Sequence, residues 1–359
     1  MTSSPNRREH DDSQALFAMG RSLRRIAVLR FSSLGDIVLT SPILTSLQET
    51  FPGLELIYVT KSGFEPLIED DPRISKVISH RPGESLVSLM RRIRAERVDA
   101  ILDLHGKWRG LACRLSHPWT PYETLRKPSL WEQLRVRMGW RPVTTRRPIV
   151  ERYFETAERL LKIPLKRSSL SLHLGEDTLE EFQESLPISL RELQNSILIV
   201  PGAQWATKRW PVTNYVKLTT RLNAQGYQVV CTGSPNEMPL LQELTRETSA
   251  TLIPPMKLKL LPHLIAHARA FIGHDSGPMH IARSVGTPTV VLFSCTASEQ
   301  FDFTGHELIE NPPPCSPCHF YGRPSCPKGH LKCINDIGVE EVVSALNRLP
   351  DERLPLVTF

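Results

Sequence analysis

Short apolar runs alternate with stretches of helical periodicity along most of the chain, and this rhythm constrains the fold more than any other feature of the sequence. In the N-terminal half, apolar runs that predict buried strands lie at residues 25–30, 54–60 and 99–104. Residues 37–47 predict a helix that restarts at Ser41-Pro42, because proline is tolerated in the first turn of a helix and not in its interior. Strands that alternate with helices pair in parallel, so this half predicts a Rossmann-like α/β domain.

A second series of the same kind begins at residue 196. It predicts strands at 196–200, 228–232, 270–273 and 289–293, and helices at 213–225, 236–248, 260–269 and 277–285. The sequence therefore predicts two Rossmann-like domains with parallel sheets that face a central cleft, where ligands bind. We expect the first domain at residues 25–185 and the second at 186–349, with a flexible tail at 1–24 and a second tail at 350–359.

The 359-residue chain has a formal charge of +6, and its basic excess is regional. Residues 91–167 hold 19 Lys and Arg against eight Asp and Glu, so the rest of the chain is net acidic. A solvated basic surface and an anion-binding surface both fit this distribution. The first 24 residues lack the apolar core of a secretory signal, and no apolar run approaches the roughly 18 residues that span a bilayer. We therefore expect a cytoplasmic protein.

The segment from Ser32 to Asp36 joins the first predicted strand to the first predicted helix, where Rossmann-type folds bind ligands. It lacks the G-x-G-x-x-G spacing of dinucleotide-binding proteins, which argues against a nicotinamide or flavin enzyme. Asp36 has two interpretations. It is either a cap that accepts backbone N–H bonds at the helix start, or a general base that takes a proton from an acceptor hydroxyl.

The loop at residues 201–211 also joins a predicted strand to a helix. Lys208 and Arg209 offer positive charge to phosphate oxygens, beside small residues that let the backbone approach a ligand. The alternative is a surface loop whose tryptophans pack on the domain body, and Trp210 fits that interpretation well.

Residues 274–280 form a third such junction. The hydroxyl of Ser276 and the absent side chain of Gly277, at a helix start with free N–H groups, favour a pyrophosphate site. The alternatives are a capping role for Asp275 or Ser276 and an ordinary helix position for His280.

Four ordered blocks, at residues 30–38, 202–211, 233–237 and 275–288, together carry a family resemblance. From about residue 25 to residue 349 the chain resembles glycosyltransferase family 9, the ADP-heptose:lipopolysaccharide heptosyltransferases. The resemblance implies the GT-B fold, with the acceptor held by the first domain and the nucleotide sugar by the second. It also implies a reaction without a divalent metal or other cofactor, in agreement with the absence of an Asp-x-Asp signature.

The resemblance assigns roles to particular residues. Asp36 is the expected catalytic base. The expected donor-binding residues are Lys208 at the phosphates, Glu237 at the ribose, Met256 beside the adenine, and Asp275, Ser276, Gly277 and His280 around the diphosphate and sugar. The expected acceptor-binding residues are Ser33, Gly35, Asp103, His105, Lys107 and Arg109.

The implied reaction transfers heptose from ADP-heptose to a hydroxyl of the lipopolysaccharide inner core, with inversion in a single displacement. The implied acceptor is a lipid-linked core oligosaccharide, and the basic region fits an anionic glycolipid on the inner leaflet better than nucleic acid. We therefore expect a protein held peripherally at the cytoplasmic face of the inner membrane. A protein O-heptosyltransferase and a non-catalytic nucleotide-sugar-binding protein are the two alternatives.

Four cysteines fall within nineteen residues, at Cys315, Cys318, Cys326 and Cys333. They fit a structural metal site for zinc, although the second pair is wider than usual for a zinc knuckle. Iron is an alternative metal, because the related autotransporter protein heptosyltransferases carry a cysteine-held iron. Free buried thiols and a redox disulfide are the alternatives without a metal.

Overall fold

The computed structural model describes residues 23–126, 131 and 147–350, which divide into two compact units. The first unit holds residues 23–32, 40–126 and 150–169, and the second holds 33–39, 131, 147–149 and 170–350. Most of the two predicted tails, at residues 1–22 and 351–359, lies outside the described residues, as do the basic side chains between residues 127 and 146.

A parallel sheet forms the centre of the first unit. Its strands are β1 (Arg25–Leu29), β2 (Glu55–Lys61), β3 (Lys76–His80), β4 (Ala100–Asp103) and β5 (Tyr122–Thr124). They pair in the order β3-β2-β1-β4-β5, with Ile26 of β1 opposite Leu56 on one side and Ala100 on the other. The three strands predicted here are confirmed. Edge strands β3 and β5 escaped prediction because few of their residues are buried, so neither forms an apolar run.

The described part of the N-terminal half contains five α-helices, and the first of them belongs to the second unit. They are α1 (Leu34–Val38), α2 (Ser41–Thr50), α3 (Leu86–Ala95), α4 (Trp108–Ser116) and α5 (Ile149–Leu161). The predicted restart is confirmed, because α2 begins at Ser41 with Pro42 in its first turn.

The second unit is built on a six-stranded parallel sheet. Its strands are β6 (Ser196–Val200), β7 (Gln228–Cys231), β8 (Thr251–Leu252), β9 (Ala270–His274), β10 (Thr289–Phe293) and β11 (Glu307–Glu310), in the order β11-β10-β9-β6-β7-β8. Its helices are α6 (Asp177–Ser185), α7 (Leu190–Gln194), α8 (Val212–Ala224), α9 (Met238–Arg246), α10 (Leu261–His267), α11 (Gly277–Ser284), α12 (Lys332–Asn335) and α13 (Val339–Arg348). All four predicted strands are confirmed to within one residue.

The division into units differs from the predicted boundary at residue 185. Residues 170–195 belong to the second unit because Leu172 N–H donates to the Ser284 carbonyl of α11 and Phe182 of α6 stacks on His263. Residues 33–39 join the same unit because α1 packs on α11. A polarity profile cannot show either contact, since both join residues distant in sequence.

The sequence-based interpretation that Trp210 packs on the body of its domain is confirmed. Its indole is 2% exposed, lies edge-on to Tyr215 with ring centres 4.9 Å apart, and donates from Nε1 to the Ile337 carbonyl at 3.1 Å.

None of the helices in the described part of the chain is both long and apolar enough to cross a membrane.

His274, at the end of β9, is a polar residue buried within this core. Its Nε2 accepts the backbone N–H of Trp210 at 2.9 Å and lies 3.0 Å from the Tyr215 hydroxyl. Its Nδ1 therefore carries the proton and faces the Gly202 carbonyl at 3.4 Å. Complete burial lowers the pKa of His274 to about 4. The imidazole is neutral at pH 7, and a second ring proton would meet the Trp210 N–H.

We expect the free energy of unfolding to fall between pH 7 and pH 5. The unfolded chain protonates this imidazole near an ordinary pKa of about 6.5, whereas the folded chain resists until about pH 4. His274 alone then removes about 2 kcal/mol at pH 5. Denaturant titrations across this range should show a shallower pH dependence for His274→Gln. The control His173→Gln, which removes an exposed imidazole, should keep the wild-type slope, and an unchanged slope in His274→Gln would refute this account.

Candidate functional site

Loops that leave the carboxyl ends of three adjacent strands meet at Lys208. Lys208 ends a short 3₁₀ turn after β6, Asp275 follows β9, and Thr296 follows β10. The Lys208 ammonium donates to the Asp275 carboxylate and, at 3.2 Å, to the Asp275 backbone carbonyl. Thr296 Oγ1 donates to the same carboxylate oxygen at 2.8 Å. This is the edge of a parallel sheet at which open α/β folds bind ligands.

The Lys208–Asp275 pair is buried and electrically neutral. Burial by itself raises the pKa of Asp275, but the charge and hydrogen bond of Lys208, with the Thr296 hydroxyl, outweigh it and lower that pKa below its ordinary value. Asp275 is therefore ionised. An ammonium has three N–H donors, and the two bonds to Asp275 leave the third for a ligand oxygen.

Two polar groups at the start of α11 are buried without a hydrogen-bond partner among the described residues: the Ser276 hydroxyl and Nδ1 of His280. Ser276 occupies the N-cap position, yet its side chain makes no capping bond, so the capping interpretation of this residue is wrong. Complete burial, assisted by Arg283, lowers the pKa of His280 to about 3 and keeps the ring neutral. Both groups are expected to bond a ligand, since buried polar atoms rarely go unpaired.

Helix α1, which carries Asp36, packs on α11. A Cβ at Gly35 would lie 2.3 Å from the His280 ring, and a Cβ at Gly277 would lie 2.8 Å from the Cβ of Leu34. These glycines therefore permit α1 and α11 to pack closely. Asp36 Oδ2 accepts the backbone N–H of Ser33 at 3.0 Å and its hydroxyl at 2.9 Å, and the Asp36 charge acts on His280. Asp36 thus does cap α1, the helix that packs on α11.

Glu237 stands at the ends of β6 and β7. Its Oε2 accepts the Ser234 N–H at 2.7 Å and the Ser234 hydroxyl at 2.9 Å. A Cβ at Gly202 would lie 2.0 Å from Oε1, and one at Gly233 would lie 2.9 Å from Oε2. Glycine at these two positions leaves the space that the carboxylate occupies. Met256 is half-buried in the loop after β8.

Residues that the sequence interpretation missed hold this site in place. Thr296 lies three residues after the end of a predicted strand, so the same strand-end rule that singled out Asp275 could have found it. Thr207 could not be found in this way. Its hydroxyl and carbonyl bond Arg323 N–H at 2.8 Å and the Ser294 hydroxyl at 2.9 Å, contacts that span 116 and 87 residues.

The predicted acceptor residues of the first unit lie at the end of β4 and in the segment that follows it. Asp103 is fully buried, and its carboxylate accepts four hydrogen bonds: the backbone N–H groups of His105 and Gly106, each at 2.9 Å, and the hydroxyls of Tyr122 and Thr124 at 2.7 and 3.0 Å. These bonds hold the loop at His105 and Gly106 against β5, and the contact of Asp103 with an acceptor stays a prediction.

The neighbours of Asp103 differ in exposure. The buried His105 ring lies edge-on to Phe31 with ring centres 5.4 Å apart. Lys107 is exposed at the start of α4, and the half-buried Arg109 guanidinium lies 4.4 Å from the centre of the Trp108 ring.

The predicted metal site at Cys315, Cys318, Cys326 and Cys333 is not supported. All four are free thiols, and no group of three or more His, Cys, Asp or Glu side chains in residues 23–126 and 147–350 is arranged to hold a metal ion. Cys318 hydrogen-bonds Cys295, outside the cluster, and Cys315 Sγ lies 3.6 Å from Nε2 of His330. The bond from Cys318 lowers the pKa of Cys295 below its ordinary value, against the effect of burial.

Comparison with known proteins agrees with this geometry. The model of glycosyltransferase family 9 (heptosyltransferase) matches residues 86–319. Lipopolysaccharide heptosyltransferase 1 of Pseudomonas aeruginosa is 26% identical over 312 residues, which cover 82% of this chain and 86% of that protein. Lipopolysaccharide heptosyltransferase 3 of Escherichia coli K12 is 26% identical over 280 residues, 73% of this chain and 80% of that protein. The solved structure of E. coli ADP-heptose lps heptosyltransferase II superposes with a TM-score of 0.70 at 22% identity, over 90% of this chain and 97% of that one.

Two all-parallel sheets, with polar loops at the strand ends of the second, are the architecture of the GT-B fold. The family match covers well over half of the chain. The chain belongs to glycosyltransferase family 9.

We expect Gly35→Ala to lower the free energy of unfolding by about 1–3 kcal/mol, because a methyl group there overlaps the buried His280 ring, which has little room to move. Gly63→Ala is the matched control. No atom lies within 4 Å of a Cβ at that exposed site, so stability should change by less than about 1 kcal/mol. Chemical denaturation measures both, and equal stability of the two variants would contradict the packing of α1 on α11.

Proposed function

We propose that the protein transfers heptose from ADP-heptose to a hydroxyl of the lipopolysaccharide inner core. The observation that carries this proposal is the neutral Lys208–Asp275 pair beside two buried polar groups that have no partner in the described part of the chain, the Ser276 hydroxyl and His280 Nδ1. Together they offer hydrogen-bond donors to phosphate oxygens at the N-terminus of a helix, where anions are stabilised. The names of the relatives, which are lipopolysaccharide heptosyltransferases, suggest heptose as the transferred sugar and lipopolysaccharide as the acceptor class, and the name of the solved E. coli heptosyltransferase II suggests ADP-heptose as the donor.

The donor would lie along the strand ends of the second unit. Its diphosphate would take the third N–H of Lys208, the Ser276 hydroxyl and backbone N–H groups at Gly277. Glu237, at the ends of β6 and β7, would accept the ribose hydroxyls, and Met256 would flank the adenine. His280 is neutral, so Nδ1 bonds a ligand without adding charge.

Asp36 would be the general base. The proton of the acceptor hydroxyl passes to its carboxylate, the oxygen bonds the anomeric carbon, and the bond from that carbon to the diphosphate breaks as ADP leaves. Attack opposite the leaving group inverts the carbon in one displacement. The support for this role is that α1 packs on α11, the helix whose start would hold the leaving group. Charge stabilisation by Lys208 needs no metal ion.

The acceptor would bind through Ser33, Gly35, His105, Lys107 and Arg109, with Asp103 fixing the loop that carries His105. Exposed Lys107 and the Arg109 guanidinium suit the anionic groups of a lipid-linked core oligosaccharide. Such an acceptor places the enzyme at the cytoplasmic face of the inner membrane, as a peripheral protein.

We expect Asp36→Asn to reduce ADP release by 100-fold or more, within the roughly 10²–10⁴-fold contribution of a general base. Asparagine still accepts the Ser33 N–H, so α1 should keep its cap. The matched control is Asp177→Asn, an exposed acid in the first turn of α6. The assay measures ADP released from ADP-heptose with extracted core lipid as acceptor.

Each alternative predicts a different outcome of this assay. Release that requires a protein acceptor in place of core lipid would favour a protein heptosyltransferase. Tight donor binding without turnover on any acceptor would favour a non-catalytic binding protein. Full activity of Asp36→Asn would remove Asp36 as the base.

A further inference from the structure

Helix α4 exposes large hydrophobic side chains in a stripe. Trp108, Leu111 and Leu115 occur at spacings of three and four residues, so they lie on one face, and they are 57%, 58% and 72% exposed. Trp119, three residues beyond the helix, is 94% exposed. Of the seven exposed large hydrophobic side chains in the described residues, four therefore fall within twelve consecutive positions.

The orientation of α4 is the reverse of that of an ordinary surface helix, which buries its apolar stripe. The face that α4 buries carries Gly110 and Cys113. A Cβ at Gly110 would lie 1.9 Å from Oδ2 of Asp103, so the helix backbone must approach the strand closely on this side. The bulky side chains consequently lie mostly exposed on the opposite face of the helix. An apolar face of this kind marks an interaction site.

Positive charge surrounds the stripe. No acidic residue occurs between residues 104 and 122, and Lys107 and Arg114 are both exposed there. Helix α3 packs against α4 and adds exposed Arg91 and Arg94. Exposed tryptophan and leucine interleaved with arginine and lysine match the interface of an anionic bilayer, where indole rings lie at headgroup depth and basic residues meet lipid phosphates.

A second copy of the chain fits this surface poorly. A two-fold contact would place the face against itself, and the basic residues of each copy would then oppose those of the other. Protein interfaces are also depleted of lysine. Charge complementarity therefore favours lipid.

We propose that Trp108, Leu111, Leu115 and Trp119 form a docking face that inserts into the interface of an anionic lipid bilayer. This inference deepens the proposed function and rests on it for its purpose: the docked face would hold the neighbouring residues 105–109 at the surface where a lipid-linked acceptor lies. The proposed membrane contact thus lies on α4 and the turn that follows it, within the basic region at residues 91–167.

The test is co-sedimentation of the full chain with vesicles of phosphatidylglycerol and phosphatidylethanolamine, against vesicles of phosphatidylcholine. We expect binding to the anionic vesicles only, weakened by high salt. The triple variant Leu111→Ser/Leu115→Ser/Trp119→Ser should bind at least about tenfold more weakly, since three exposed apolar side chains no longer enter the bilayer. Tyr321→Ser, which removes a side chain of similar exposure from the second unit, is the control and should bind like the wild type.

A second readout does not depend on the triple variant. Brominated lipids should quench the tryptophan fluorescence of the wild type on anionic vesicles, and weaker quenching in Trp119→Ser, which keeps Trp108, should identify the contribution of this indole. Absence of vesicle binding, or equal binding of the triple and control variants, would overturn the proposal. So would a dimer that the triple substitution dissociates without any vesicle binding.

Failure of this inference is distinguishable from failure of the proposed function. ADP release on a lipid-free core oligosaccharide needs no membrane, so the triple variant should keep wild-type turnover on that substrate. Vesicle binding without turnover on any acceptor would leave the docking face in place and reject the transferase assignment. Turnover without vesicle binding would do the opposite.

Discussion

The buried ion pair between Lys208 and Asp275 is the interaction on which the arrangement of the site depends. Burying two charges is costly, and each is tolerated only because the other compensates it and further hydrogen bonds saturate the carboxylate. Here Thr296 supplies one such bond, and the Asp275 carbonyl takes a second donor of the ammonium. The pair therefore holds together the loops that follow β6, β9 and β10. It also fixes the spare N–H of Lys208 next to Ser276 and the start of α11.

Contacts with segments distant in sequence hold the loop that carries Lys208 in place. Thr207 bonds Arg323 and Ser294, a Cβ at Gly322 would lie 2.7 Å from the Trp205 ring, and the Cys318 N–H donates to the Cys295 carbonyl at 3.0 Å. The cysteine-rich segment thus packs on the loop that carries Lys208. These contacts explain a role for the segment that requires no metal ion: it buttresses the turn that holds the lysine.

Much of the fold could be predicted because parallel strands covered on both faces are continuous apolar runs, as in β1, β6 and β10. The candidate site residues could be singled out because strand ends in α/β folds are ligand positions, which is how Asp36, Lys208 and Asp275 were found. What the sequence could not supply were contacts between distant segments. The close contact of Gly35 with His280 places α1 in the second unit, and Cys318 hydrogen-bonds Cys295, which lies outside the cysteine cluster. Periodicity alone would also have turned Trp108 and Leu111 inward, whereas the close approach of Gly110 to Asp103 turns them outward.

The most direct test replaces the charged pair by a neutral one and measures ADP affinity and stability separately. Lys208→Met alone strands a buried carboxylate, so Lys208→Met/Asp275→Asn is the informative variant, with exposed Lys217→Met as the control. Calorimetric titration with ADP should show binding weakened by about 10–100-fold, the loss of one charge-assisted bond, while the free energy of unfolding stays within about 2 kcal/mol of the wild type. Unchanged ADP affinity in the double variant would contradict the account, because Lys208 would then hold the fold without binding the donor.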